Sequence, residues 1–282
     1  MEAISSFFIV DAFTDQLFTG NPAGILLHRG DLAAELMQLV ARELNLSETA
    51  FPVPQGELSY KEAEQFELRW FTPTTEVPLC GHATLATAHI IFSELENPSS
   101  QITFSTLSGS LMVTRQDDLY VMDFPSGVVE TISFQNDVIR ALGLEPNDVD
   151  EMLYCEKPNK LLIVVSDAEV TRNLQPDFPL LLQTSKKHNA GSVIVTSPSS
   201  SFDYDFISRN FAPLHGVNED PVTGSSHVIL GPYWQRRLDK DTLRAYQASS
   251  RGGFMDLEVL NNGRILLKGK ARTVAKGTIN LV

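Results

Sequence analysis

Residues 69–91 read RWFTPTTEVPLCGHATLATAHII, and residues 209–234 read RNFAPLHGVNEDPVTGSSHVILGPYW. Both pass from a β-type run ending in Arg-x-Phe-x-Pro, through a loop with an acidic residue and a proline, to a glycine that opens an apolar helix. The two glycines, Gly81 and Gly224, are separated by about half of the 282-residue chain. Self-similarity at that spacing is the mark of a duplicated chain. The expected architecture is therefore α+β: two similar halves, each a β-barrel-like mixed or antiparallel sheet wrapped around one buried helix. Such halves would set two helix starts facing each other across a cleft. Helix starts carry unpaired N–H groups and the positive end of the dipole, which suits a carboxylate.

The remaining patterning agrees with a β-rich chain. β-type runs appear at 5–12, 67–72, 101–106, 110–115, 119–124, 160–166, 191–197, 203–211, 254–260 and 264–271. The Asn-Gly pair at 262–263 marks a tight hairpin. Helical patterns cover 32–44, 83–92 and 226–238. Strict β-α-β alternation and glycine-rich phosphate loops are absent, which argues against a nucleotide-binding sheet. The expected division is 1–114 with the last strand at about 271–282, and 115–270.

Composition narrows the function. Hydrophobic residues make up 43% and charged residues 20%, as in a soluble globular protein. The net charge of −13 and scattered basic residues exclude nucleic acid as the main partner, because phosphate binding needs a basic footprint. No apolar run is long enough for a membrane span. Glu2 and the short apolar N-terminal run differ from a secretory signal, so a cytoplasmic location is expected. The two cysteines, Cys80 and Cys155, are too few for a disulfide framework and have no metal-ligand spacing. His82 and His89 would lie two helical turns apart, roughly 10 Å, too far to share one ion; no metal is expected.

Several residues are candidates for chemistry. Cys80, Gly81 and His82 stand where a helix cap is normally Ser, Thr, Asp or Asn. Cys80 is either a catalytic thiol or a small buried residue. In LNLSETAF (44–51), an extended backbone puts Leu46, Glu48 and Ala50 on one face and Ser47, Thr49 and Phe51 on the other. If the first face points inward, Glu48 is a carboxyl at the edge of an apolar cleft; Phe51 argues for the opposite face. GNPAG (20–24) reads as a Gly/Pro turn whose Asn21 could contact a ligand carboxylate, and SRGGF (250–254) offers Arg251.

Four blocks, VDAFTDQLFTGNPAG (10–24), ARELNLSETAF (41–51), FTPTTEVPLCGHAT (71–84) and EDPVTGSSH (219–227), resemble the signature blocks of the phenazine-biosynthesis PhzF-like family. With the flanking strands the resemblance covers nearly the whole chain. It implies the diaminopimelate epimerase-like fold, an active site between the halves, a homodimer and no cofactor. It also implies an isomerase in which Glu48 is the single acid/base, removing a proton from one carbon and returning it to another. His82 and Asp220 would hold and polarise the substrate, and Gly81, Gly224 and Ser225 would bind it at the helix starts. The best-known family reaction isomerises a dihydro-hydroxyanthranilate in phenazine biosynthesis; here the expected substrate is a small carboxylate-bearing metabolite. Related racemases use two cysteines, one per helix start, but Thr223 answers to Cys80 in the second half. A racemase or epimerase using Cys80, and a non-enzymatic binding role, are the alternative expectations.

Overall fold

The computed structural model describes residues 4–28 and 30–281. The chain divides into two units: one runs to Asp123 and is completed from Lys268 onward, and the other is Phe124–Leu267. The sequence places the first division at 114/115 instead. The structure carries it further because the strand after that point pairs antiparallel with the one before it.

The first unit contains β1 (Ile4–Ala12), β2 (Asn21–Leu27), α1 (Ala34–Leu44), β3 (Glu48–Pro54), β4 (Gln65–Phe71), β5 (Glu76–Val77), α2 (Gly81–His89), β6 (Gln101–Thr106), β7 (Gly109–Gln116) and β8 (Leu119–Pro125). β2 and β3 pair in parallel, as do β4 and β6; the other neighbours are antiparallel. The chain's last strand, Ala271–Asn280, returns antiparallel to β1. GNPAG is thus not merely a turn: only Gly20, at φ +70°, turns, and Asn21 already begins β2. Pro22 is tolerated there because it stands at the start of the strand.

α2 packs on β1, β2, β3 and the last strand. Ala83, Thr84, Leu85, Ala86, Thr87 and Ala88 are all buried, so this helix hides its whole circumference. The Thr84 and Thr87 hydroxyls donate to the carbonyls one turn back, Cys80 at 2.6 Å and Ala83 at 2.7 Å, which makes two polar side chains compatible with that burial. α1 covers the opposite side, its Met37, Val40 and Ala41 packing with Leu26, Phe51 and Phe71. Both faces of β3 are therefore covered. Phe51 is buried beneath α1, and the alternation of the strand sends Glu48 and Ala50 towards the α2 side.

The second unit contains β9 (Glu130–Thr131), α3 (Asn136–Ala141), β10 (Val149–Cys155), β11 (Lys160–Val165), α4 (Ala168–Arg172), α5 (Phe178–Lys187), β12 (Ser192–Pro198), β13 (Phe206–Ala212), β14 (Val217–Asp220), α6 (Gly224–Leu238), β15 (Thr242–Gln247), β16 (Gly253–Val259) and β17 (Arg264–Gly269). Its pairings repeat the first unit in order: β10/β11 antiparallel, β11/β12 parallel, β12/β13 and β13/β14 antiparallel, β13/β15 parallel, β15/β16 antiparallel. α5 stands where α1 stands, between the two parallel strands, and α6 stands where α2 stands. The duplication extends to side chains. Arg69 grips Glu76 through two bonds of 2.7 and 2.8 Å, and Arg209 grips Glu219 through two of 2.7 and 2.9 Å. Each guanidinium also lies 5.1 Å over the ring two residues on, Phe71 or Phe211. These forks tie the strand before each helix to the loop that leads into it.

α6 contains Pro232, which has no N–H for the Val228 carbonyl one turn back. The Gly127 N–H supplies that bond from outside the helix at 2.9 Å. No helix among the described residues is long and apolar enough to cross a membrane.

Candidate active site

In the first unit the expected residues come together around the start of α2. Glu48 is the first residue of β3, paired with Ala23 of β2, and Asn21 lies two residues before Ala23, on the same face. Asn21 is fully buried, and Ser47 Oγ lies 3.5 Å from its Oδ1. Cys80 is the N-cap of α2, in an extended conformation, and contributes no side-chain cap bond. Gly81 and His82 are the first two helical residues.

His82 is the centre of this cluster. Its Nε2 lies 3.2 Å from Glu48 Oε2 and its Nδ1 lies 3.5 Å from Cys80 Sγ. Burial lowers the His82 pKa, with the Glu48 carboxylate opposing, so the ring is neutral at neutral pH. A neutral imidazole has one donor and one acceptor. The ring stands between the two groups, with Nδ1 towards the thiol and Nε2 beside the carboxylate at a distance that brings the two close without a hydrogen bond between them. Glu48, at 20% side-chain exposure, keeps contact with solvent while His82 and Cys80 are buried.

Glu48, Cys80 and His82 also form the one group among the described residues whose ligand atoms lie close enough for an ion, all within 4.8 Å. Histidine spacing along the chain could not reveal it, because Glu48 arrives from another strand. As oriented, the ring presents one nitrogen to each neighbour.

Gly81 is informative in a different way. A Cβ there would meet nothing within 4 Å, and no left-handed φ requires a glycine. Gly224 is similar, with Leu267 Cδ1 at an ordinary 3.5 Å. Neither packing nor backbone conformation explains the residue at either helix start.

In the second unit Asp220, Gly224 and Ser225 gather at the start of α6. Thr223 is the N-cap, extended like Cys80 and likewise giving no side-chain cap bond. Its hydroxyl donates instead to Asp220 Oδ2 at 2.5 Å. Buried Gln247, at the end of β15, locks this loop. Its Oε1 accepts from the Thr223 N–H at 2.9 Å, and its Nε2 donates to the Asp220 carbonyl at 2.7 Å and to Thr223 Oγ1 at 3.1 Å. Sequence reasoning missed Gln247, and a lone glutamine at a strand end gives no signal. Cys155 lies apart from Thr223's position, on β10, with its Sγ 3.0 Å from the Lys157 carbonyl.

Comparison with known proteins identifies the family of the chain. An uncharacterized isomerase of Halalkalibacterium halodurans is 44% identical over 277 residues, covering 97% of this chain and 98% of that one. The crystal structure of a phenazine biosynthesis PhzF-family protein from Enterococcus faecalis superimposes with a TM-score of 0.89 at 39% identity, covering 98% and 99% of the two chains. A hydroxyproline epimerase from Agrobacterium vitis shares the fold at a TM-score of 0.60 and only 9% identity, covering 100% of this chain and 94% of that one. Residues 10–277 match the family described as phenazine biosynthesis-like protein. With that match across nearly its whole length, and the diaminopimelate epimerase-like fold of its neighbours, the chain belongs to the phenazine biosynthesis-like, or PhzF-like, family.

Proposed function

We propose that the protein is an isomerase that moves a proton within a small carboxylate-bearing metabolite, using Glu48 as its only acid/base and no cofactor. The contact between Glu48 and neutral His82 carries this reading. Neutral His82 lies beside the carboxylate without the full charge of an imidazolium, which would weaken the base. Glu48 takes a proton from one substrate carbon; as the acid so formed, it returns the proton to another carbon on the same face. Negative charge developing on the substrate is met by the first-turn N–H groups of α2, to which Cys80 gives no side-chain cap. Asn21 and Gly81 bind from the same cluster. Asp220, Gly224 and Ser225 bind and polarise from the second helix start, where Thr223 and Gln247 hold the loop.

Incubation with candidate carboxylic acids in deuterated water, followed by NMR, tests the proposal. Wild-type protein is expected to introduce deuterium into its substrate, and Glu48→Gln to do so at least about a hundredfold more slowly. Full exchange in Glu48→Gln would overturn it. A second reading, with the Cys80 thiol as the proton-transferring group, draws on its approach to His82 Nδ1. Under the first reading Cys80→Ala retains exchange within about tenfold; loss as deep as that of Glu48→Gln would favour the second.

A further inference from the structure

The two units repeat each other closely enough to ask what occupies, in the second, the place that Glu48 occupies in the first. Thr49 stands opposite Phe71, and Val193 stands opposite Phe211. These are the two phenylalanines beneath the arginine forks, so Thr49 corresponds to Val193 and Glu48 to Ser192. In the parallel pairs Glu48 is matched with Ala23 and Ser192 with Lys160. Where the first unit has an alanine beside a carboxylate, the second has an ammonium beside a hydroxyl.

Lys160 is buried to 6% exposure and its Nζ donates to Ser192 Oγ at 2.8 Å. Its direction is fixed by the strand. Leu161, Ile163, Val193 and Val195 pack in the cluster that includes Leu181 of α5, so Lys160 and Ser192 point to the other face, towards α6. Asn210 shares that face, its Oδ1 accepting from Ser226 of α6 at 3.1 Å, and Asp220 is paired with Asn210. A hydroxyl does not neutralise a buried ammonium; a counter-charge is required. The charged and titratable groups that face Lys160 are Asp220 of β14, Cys155 of β10, His215 of the turn after β13 and His227 of α6. Both histidines are held below the usual range, burial being the main cause and Lys160 adding to it. Asp220 is the leading charge that favours the ammonium.

We propose that Lys160 is a positioning residue, whose buried ammonium, seated on Ser192, serves as the counter-ion of Asp220 on the sheet face that the two share. This deepens the reading of Asp220 as a substrate-binding group and rests on it. The second helix start would then present a carboxylate acceptor that carries its own counter-ion. A carboxylate-bearing substrate meets less repulsion there than an isolated Asp220 would impose. The class of substrate group it suits is a donor, a hydroxyl or amine, on a molecule that is itself an anion.

Titration of the aspartate carboxyl carbons by NMR tests this without any substrate, the Asp220 signal being assigned by its absence in Asp220→Asn. Burial pushes the Lys160 pKa down to about 8, so in wild-type protein the Asp220 signal is expected to show a second inflection near that pH. In Lys160→Met the Asp220 midpoint is expected to rise by at least one pH unit, a tenfold change in proton affinity, and in Lys160→Arg to return towards wild type. Absence of the second inflection, or an unmoved midpoint in a folded Lys160→Met protein, would overturn the proposal; if that variant does not fold, the wild-type inflection decides. Once a substrate is found by deuterium exchange, Lys160→Met is expected to raise KM at least tenfold with a smaller fall in kcat. Unaltered exchange in Asp220→Asn would remove Asp220 from the reaction while leaving its titration coupled to Lys160, so the two failures are distinguishable.

Discussion

At Gly81 a methyl group would meet open space, while at Gly20 it would lie 2.3 Å from the Ala12 carbonyl oxygen on a backbone at φ +70°. The same substitution therefore has opposite outcomes at the two positions. Gly20→Ala meets both a backbone clash and left-handed strain, and is expected to cost about 3 kcal/mol, read as a fall of roughly 6–12 °C in Tm. Gly81→Ala adds a better helix former at a helix start and is expected to leave stability unchanged or raised by up to about 1 kcal/mol, yet to reduce deuterium exchange at least tenfold by filling the space a substrate needs. A Gly81→Ala protein with lower Tm and full exchange would show that the glycine serves the fold instead. Glu48 illustrates how far a residue can be read alone. Strand alternation offers two faces, and Phe51 points to the wrong conclusion because one buried face is assumed. The presence of α1 on one side and α2 on the other removes the conflict.

The arginine forks are the elements' own fastenings, and the two are not equal. Arg209 is 11% exposed and also donates to the Arg172 and Leu174 carbonyls at 3.1 and 2.9 Å, whereas Arg69 is 35% exposed and its fork bonds run to Glu76. Replacing Arg209 by Met strands two carbonyls and a carboxylate with little water to take them, an expected loss of about 3 kcal/mol. Arg69→Met is expected to cost about 1 kcal/mol. Urea titration of both variants checks the order; equal losses would mean that burial does not govern the pair. The same elements show what patterning could and could not reveal. The strand-to-helix passages were legible because a short motif recurs with its glycine at matching places. α5 lies outside the helical patterns of the sequence although Asp177 caps it, accepting from the Leu180 N–H at 3.0 Å, and Lys186 and Lys187 close it. Those signals are local and were available. The forks were not, since each depends on which residues a strand register brings opposite one another.

For the molecule as a whole, buried titratable groups set the pH range of stability. Burial pushes His89 and His227 down to about 4. The unfolded chain binds protons at both near pH 6.5, so between about 6.5 and 4 it holds more protons than the folded protein, and stability falls as pH falls. Lys160, at about 8 folded against 10.5 unfolded, has the same sign in an alkaline window: stability rises with pH from about 8 to 10.5. Urea midpoints measured from pH 4 to 7, in wild type and in His89→Phe, are expected to fall with acid and to fall less in the variant. A flat profile would contradict the burial of these rings. At this scale the duplicated architecture was legible from one pair of segments, while Lys160, Gln247 and the contact of Glu48 with His82 were not, because they exist only after distant strands align. The Val228 carbonyl of α6 makes a related point, since its partner is Gly127. That helix has a gap in its ladder which no neighbour along its own turns can close, so a peptide excised around it would lack the missing donor. Synthesis delivers Gly127 long before Val228, and the donor is therefore already outside the ribosome when the acceptor emerges.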